Sequence, residues 1–321
     1  MKQDKWYVGI DLGGTAIKLA IVNSNGEIAY KESQPTQVAE GGDRILHQMD
    51  EMIIRGIEDL ALKKEDLQGI GIGAPAFLDL ERGYVYEAVN LGWKDYPLKD
   101  RLEEITGLPV VVDNDANTAA LGEMWKGAGS GASDLLVITL GTGVGGGVIS
   151  KGKIFHGSRG TSGEIGHVTV VTKGGYRCNC GKQGCLETLA SATGIVKLAT
   201  DALKEGTSST LAETLKANGA LEAKDVAFAA DAGDELALSV LDQVGFYLGW
   251  TLGNYAVLLN PEKIVVGGGV SRAGEVLFKP IRDYYRQYAL PHLTGDIEIV
   301  AATLGNDAGV IGSAWLVHSK E

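Results

Sequence analysis

The stretch LVITLGTGVGGGVISKGKI, residues 136–154, repeats the plan of VGIDLGGTAIKLAIVNSNGEI, residues 8–28. Each is an apolar strand run, Leu-Gly, a polar or glycine-rich turn, a second apolar run and a closing glycine turn. A shift of 128 aligns Ile10 with Ile138, Asp11 with Thr139, Leu12 with Leu140 and Gly13 with Gly141. A repeat at that separation points to two duplicated α/β domains, because solenoid units recur every ~20–50 residues.

Working outward, Trp6–Leu12 and Lys18–Val22 read as strands, with a turn at Asn25-Gly26. Ile45, Leu46, Met49, Met52, Ile53, Ile57 and Leu60 fall at helical spacing. Gly69–Gly73 is a short buried strand leading to Ala74-Pro75. Pro97–Ile105 reads as a helix stopped by Gly107-Leu108-Pro109. Val110–Val112 is a strand that ends in DNDAN, and a helix follows from Ala116 to Trp125. After the second copy of the repeat, helices are expected at Leu189–Leu203, Leu211–Ala217, Asp234–Leu259 and Gly274–Tyr285. KIVVGGGVS, 263–271, is a third glycine-rich strand end. Val244–Leu259 is nearly all apolar, yet it is too short for a membrane span and Thr251 and Asn254 interrupt it. Its glycines, Gly245, Gly249 and Gly253, recur every four residues and invite close packing of another helix or a dimer partner. With no low-complexity linker, the domain joint is expected as a compact hinge near Ala119–Gly131.

The chain has 321 residues, 45 % apolar and 22 % charged, with a net charge of −12. That is ordinary globular composition with a core of useful size. The acidic balance argues against nucleic acid and anionic membrane as partners. The three cysteines are an odd count, and nothing at the N-terminus resembles a signal peptide, so a cytoplasmic protein without disulfides is expected. The 46 glycines cluster at strand ends, where backbone must approach something closely.

Two facing glycine-rich hairpins can clamp a phosphate chain with backbone N–H groups. Gly13, Gly14 and Thr15 form the first, Gly141, Thr142 and Gly143 the second, and Gly267 and Gly268 add a third strand end. Thr15 and Thr142 supply hydroxyl donors. Asp11 stands at the mouth, where a carboxylate suits a hydrated Mg²⁺, and Lys18 adds charge from the outgoing strand. No GxxxxGK[ST] loop or dinucleotide fingerprint occurs.

The stretch TSGEIGHVTVVTKGGYRCNCGKQGCLE, 161–187, holds every cysteine of the chain. Cys178, Cys180 and Cys185 form a glycine-rich knuckle, and His167 lies close enough upstream to complete a Cys₃His set, a usual closed structural zinc site. Glu164 and Glu187 bracket it. Carboxylates immobilised this way can accept hydrogen bonds from neighbouring hydroxyls of a polyol.

DLGGT, NDAN, LGTGVGGG, GEIGH and CNCGKQGCLE together resemble the ROK family of sugar kinases and sugar-responsive repressors, in particular its ATP-dependent bacterial glucokinases. The resemblance covers essentially the whole chain. It implies an actin/hexokinase-like (ribonuclease H-like) duplicated α/β fold with an interdomain cleft and a zinc knuckle. It implies ATP-dependent phosphorylation of glucose at the 6-hydroxyl, with Mg²⁺ and a structural Zn²⁺. It assigns Asn114, Asp115, Glu164, His167 and Glu187 to the sugar, with Asn90 as a further contact, and Asp115 as catalytic base. The zinc ligands would be His167, Cys178, Cys180 and Cys185. A helix within 306–321 would pack back on the small domain, giving 1–120 plus 306–321 as one domain and 121–305 as the other. A homo-oligomer, with a dimer favoured, is expected.

Among the acids, Asp11 fits the metal, and Asp113 fits strand packing or a helix cap. Asp115 follows Asn114 and opens a helix, which suits the base. A repressor of this resemblance carries a DNA-binding domain ahead of DLGGT, whereas ten residues precede Asp11 here. An ATPase of the same fold without sugar chemistry would need neither the knuckle nor the paired Glu. Mannose, fructose or N-acetylmannosamine as acceptor, and polyphosphate as donor, stay open. Epimers differ in the placement of single hydroxyls.

Overall fold

The computed structural model describes residues 5–320; residues 1–4 and 321, at the ends of the spans assigned from sequence, lie outside it. Contacts divide the chain into two units. The first is Met1–Ser133 with Gly147–Ser162 and Thr303–Glu321, and the second is Asp134–Gly146 with Gly163–Ala302.

The first sheet is built from β1 (Trp6–Leu12), β2 (Ala16–Asn23), β3 (Ile28–Pro35), β4 (Leu67–Ala74) and β8 (Val110–Asn114), in the order β3-β2-β1-β4-β8. Both faces of its centre are buried, and the alternation of side chains sorts them. Val8, Ile10 and Leu12 join a core with Ile45, Leu46, Met49, Met52 and Ile53 of α1 (Gly42–Asp59). Tyr7, Ala20 and Val22 face the other way, against Val310, Ile311 and Ala314 of α10 (Ala308–His318). Glycines let α10 lie almost on the backbone: a Cβ on Gly9 would stand 1.9 Å from the Val310 carbonyl oxygen, and one on Gly71 1.7 Å from that of Ser313. The Ser313 hydroxyl donates to the Ile10 carbonyl at 2.9 Å. Glu123 of α3 (Asp115–Lys126), only 2 % exposed, accepts backbone N–H bonds from Ala128, Thr303 and Leu304, which fixes the approach of the C-terminal segment. The helix α3 runs unbroken through the first part of the segment where a hinge is expected, and the first unit ends beyond it at Ser133.

The second sheet has the order β11-β10-β9-β12-β13. Its strands are β9 (Leu135–Leu140), β10 (Val144–Ser150), β11 (Lys153–Ile154), β12 (Lys263–Gly267) and β13 (Glu298–Ala301). Strand for strand this is the order of the first sheet: the first strand pairs in parallel with a later strand, which pairs in parallel with one later still, while the second and third strands lie on its other side. The internal repeat is therefore a duplicated fold. The second unit carries α4 (Glu187–Ala190), α5 (Ala192–Lys204), α6 (Leu211–Asn218), α7 (Ala223–Asp231), α8 (Glu235–Leu259) and α9 (Glu275–Tyr288). The glycines spaced by four on α8 receive α9. A Cβ on Gly245 would meet Pro280 at 2.3 Å, and one on Gly249 the Ile281 carbonyl at 2.6 Å.

Several elements differ from the sequence reading. The helix expected over 189–203 is two helices, because the Ser191 side chain caps a new start at the Gly194 amide. The strand β3, with its half-exposed alternation, and the helix α7, whose apolar residues are mostly alanine, do not stand out in the sequence. A separate three-stranded sheet, β5 (Phe77–Asp79), β6 (Tyr84–Ala88) and β7 (Trp93–Tyr96), occupies a segment to which the sequence reading gives no element, and the expected helix, α2 (Leu98–Thr106), follows it.

Candidate functional site

In the first unit the parallel strands β1, β4 and β8 end in register. Asp11 pairs with Gly73, and Gly73 with Asp113, so the expected residues gather along one carboxyl edge of the sheet. Ligand sites of open α/β sheets lie at that edge. Asp11 Oδ2 is 2.8 Å from Lys18 Nζ, directly across the hairpin. The pair gives the lysine of the outgoing strand a carboxylate partner. Gly13 donates its N–H to Ala16 and closes the turn. Thr15, at the tip, is exposed.

Gly14 has a role the sequence did not suggest. A Cβ there would stand 2.8 Å from both the Cβ and the carbonyl oxygen of Asn90. Asn90, itself exposed, lies in the 3₁₀ turn Val89–Leu91, which Leu91 anchors in the core and Gly92 closes in the left-handed region. The first hairpin and the Asn90 turn are thus packed backbone to backbone.

The cap of α3 is Asn114, whose side-chain oxygen accepts from the Ala116 amide at 2.9 Å. Asp113 is not the cap. It is 3 % exposed and bonds to Asn117 and His156. Asp115 opens the helix, and its Oδ1 accepts from the Ala116 amide at 2.8 Å. A carboxylate in the first turn is favoured by the helix dipole.

In the second unit the hairpin Gly141–Gly143 is held from two sides. Gly141 O accepts from the Ala192 amide at 2.8 Å, and Thr142 O from the Thr193 hydroxyl at 3.0 Å. Glu187 Oε2 accepts the Val144 amide at 3.0 Å and sits where a Cβ on Gly143 would be, 2.4 Å away. By contrast a Cβ on Gly141 would meet nothing within 4 Å. Gly268 is required by the chain itself, with φ +87 and Leu140 backbone 2.3 Å from its would-be Cβ. Gly267 packs on Ala302.

Beside the hairpin is a cavity of about 850 Å³, which also touches Gly269. Ile195, Val196, Leu221 and Phe228 give it apolar walls, and Lys224 and Arg272 give it positive charge. None of these was singled out from sequence. The Ser191-x-x-Gly194 cap, next to the knuckle, was the available signal for one wall.

The knuckle assembles as expected. His167, Cys178, Cys180 and Cys185 bring their donor atoms within 4.8 Å of one another. Cys178 Sγ is 3.6 Å from His167 Nδ1, and Cys180 Sγ 3.6 Å from Cys185 Sγ. Metal–donor bonds of about 2.0–2.3 Å in a tetrahedron give edges of this size. Burial and the neighbouring sulfurs push the Cys185 thiol up to about 12, and burial raises Cys178, while the Lys182 amide lowers Cys180. Crowded thiols that resist ionising together are relieved by a divalent cation, whose binding expels their protons. The other ring nitrogen of His167 lies 3.9 Å from Glu164 Oε2. That is beyond hydrogen-bonding distance. Glu164 is exposed, and Glu187 Oε1 is 3.7 Å from Cys178 Sγ, so this carboxylate joins the knuckle to the hairpin.

Among the described residues no helix is long and apolar enough to cross a membrane. The pattern of the ROK family matches residues 7–320. The chain is 55 % identical to a glucokinase of Halalkalibacterium halodurans, over 99 % of this chain and 96 % of that one. It is 38 % identical to a glucokinase of Thermotoga maritima, over 98 % and 97 %. Among solved structures, a ROK family glucokinase of Streptomyces griseus in complex with glucose and AMPPNP matches with a TM-score of 0.76. It is 36 % identical and covers 97 % of this chain and 98 % of its own.

Proposed function

The chain belongs to the ROK family, and from that premise we propose that it is a glucokinase, transferring the γ-phosphoryl group of ATP to the 6-hydroxyl of glucose. The observation that carries this reading is the 55 % identity to a glucokinase over 99 % of the chain, together with the site motifs in place. A coupled assay with ATP across glucose, mannose, fructose and N-acetylmannosamine tests it. Glucose should give the highest kcat/KM; a clear preference for another hexose, or no turnover, contradicts it.

Phosphoryl transfer needs positioning and charge neutralisation more than covalent chemistry. In this proposal Asn90, Asn114, Glu164, His167 and Glu187 hold the sugar hydroxyls, and Asp115 receives the proton of the 6-hydroxyl. The O6–phosphorus bond forms as the bond to the ADP oxygen breaks. Backbone N–H groups of Gly13–Thr15 and Gly141–Gly143 hold the phosphates, and the apolar cavity walled by Val196 and Phe228 takes the adenine. Mg²⁺, when bound with ATP, would spread the phosphate charge, and Asp11, now paired with Lys18, would hold it. His167, Cys178, Cys180 and Cys185 would hold a Zn²⁺ with four protein donors, and its role would then be structural. The enzyme would work in the cytoplasm. Exposed Val257 and Leu258 at the end of α8, with exposed Tyr288 and Leu290 at and just past the end of α9, favour a homodimer; a monomer in sedimentation at working concentration contradicts that.

The two hairpins are separable by mutation. Because the space around Gly141 is open and its φ is not positive, Gly141→Val should fold. Losing one backbone hydrogen bond to phosphate, roughly 1–1.5 kcal/mol, should raise the KM for ATP about tenfold and leave glucose affinity in place. An unchanged ATP KM means the hairpin is only a turn. Gly14→Ala should in addition affect the sugar. The methyl group displaces Asn90, so the KM for glucose should rise by roughly 3–10-fold, again about one hydrogen bond. An unaltered glucose KM in a folded Gly14→Ala protein removes Asn90 from the sugar contacts.

A further inference from the structure

We propose that His156 is a positioning residue for phosphoryl transfer, acting through the buried carboxylate of Asp113 on the turn that carries Asp115. The proposal rests on the reading of Asp115 as base. His156 Nε2 lies 2.7 Å from Asp113 Oδ2, and Asp113 has 4 % of its side chain exposed against 35 % for His156. The other oxygen, Oδ1, accepts the Asn114 backbone N–H at 2.7 Å and the Asn117 side-chain amide at 2.8 Å. Asp113 thus grips both the residue that caps α3 and a residue one turn along it, and Asp115 stands between them.

The histidine is itself held. It follows β11 by two residues, the Phe155 amide before it donates to Val148 at 2.8 Å, and its own carbonyl accepts the Ser162 amide at 3.1 Å. Its ring therefore presses on Asp113 from a fixed backbone. The hydrogen bond that His156 donates to Asp113 raises the His156 pKa, against the opposing effect of burial. A charge-assisted bond to a buried carboxylate is among the stronger contacts available. Without it, Oδ2 is a buried charge with no partner, and the carboxylate must turn towards water or another donor. Turning releases the Asn114 N–H and Asn117, and the first turn of α3 shifts with Asp115 on it.

The test compares His156→Leu, His156→Gln and Asp115→Asn in the full-length protein. His156→Leu should lower kcat roughly 10–100-fold, the scale of a misplacement near 1 Å, with the KM for ATP unchanged within about twofold. His156→Gln restores a neutral donor and should recover most of kcat, which a merely structural loss would not do selectively. The idea is overturned if folded His156→Leu keeps its kcat, if kcat and both KM values deteriorate together, or if Gln gives no recovery. Should His156→Leu fail to fold, Asp113→Asn replaces it. It keeps the volume and the Oδ1 acceptor but turns an amide towards His156, so kcat should fall likewise; an unaffected kcat overturns the proposal. Asp115→Asn separates the two readings. If it is inactive while His156→Leu is not, only the role of His156 falls; if it stays active, the base assignment falls and the positioning role with it.

Discussion

Asp115→Asn is expected to lower kcat by roughly 10²–10⁴-fold, the usual cost of losing a general base. That is about 3–5 kcal/mol at 1.36 kcal/mol per tenfold. The expectation follows from its place. Asp115 opens α3 just past the carboxyl edge of β8, two residues beyond Asp113, which is in register with Asp11 across β4. Its Oδ1 accepts the Ala116 amide, a bond the oxygen of an asparagine can keep. The variant should therefore fold and bind glucose with modest loss, and the defect should appear in kcat at saturation. Steady-state kinetics, with circular dichroism to confirm folding, measures this. A kcat above about a tenth of the unaltered value is too small a loss for a base and would move the assignment to Asp11, since Asp113 is committed to Asn117 and His156.

Removing the metal should have the next largest effect. Cys185 is fully buried, and its sulfur lies 3.6 Å from that of Cys180. We predict about one zinc per chain in protein purified without added metal, as a closed Cys₃His site requires. Cys185→Ser should abolish that content. Structural zinc contributes on the order of 10 kcal/mol in small isolated sites, and part of that should appear here as a sharp drop in melting temperature. Glu187 passes the loss on. It touches Cys178 on one side and the Val144 amide on the other, so a collapsed knuckle frees the second hairpin. ATP affinity should fall together with sugar affinity. Elemental analysis decides: fully active protein with almost no zinc removes the metal from the account.

Much of this was legible in the chain. The repeat carried the fold, because strand, Leu-Gly turn and strand recur with the same residue types, and both sheets share one strand order. The knuckle was legible because its chemistry is local, with three thiols and an imidazole within one short stretch. What escaped was long-range. Gly14 reads as a phosphate glycine, yet its missing Cβ also makes room for Asn90, which lies 76 residues later in the chain. Asp113 reads as a cap or a packed strand end, but its partner His156 arrives from β11, and no spacing joins them. The cavity beside Gly141 draws on α5, α7 and the segment after β12, whose apolar residues look like any helix core. The small sheet β5-β6-β7 was missed because its strands are short and partly exposed.

The central claim is transfer from ATP to the 6-hydroxyl of glucose. It is tested most directly by incubating the purified protein and Mg²⁺-ATP with either glucose or 6-deoxyglucose, and following sugar phosphate and ADP together. The account predicts one ADP per glucose 6-phosphate with glucose. With 6-deoxyglucose it predicts competitive binding against glucose but no phosphorylated product. A phosphorylated product from 6-deoxyglucose, or ADP release from glucose without glucose 6-phosphate, would contradict it.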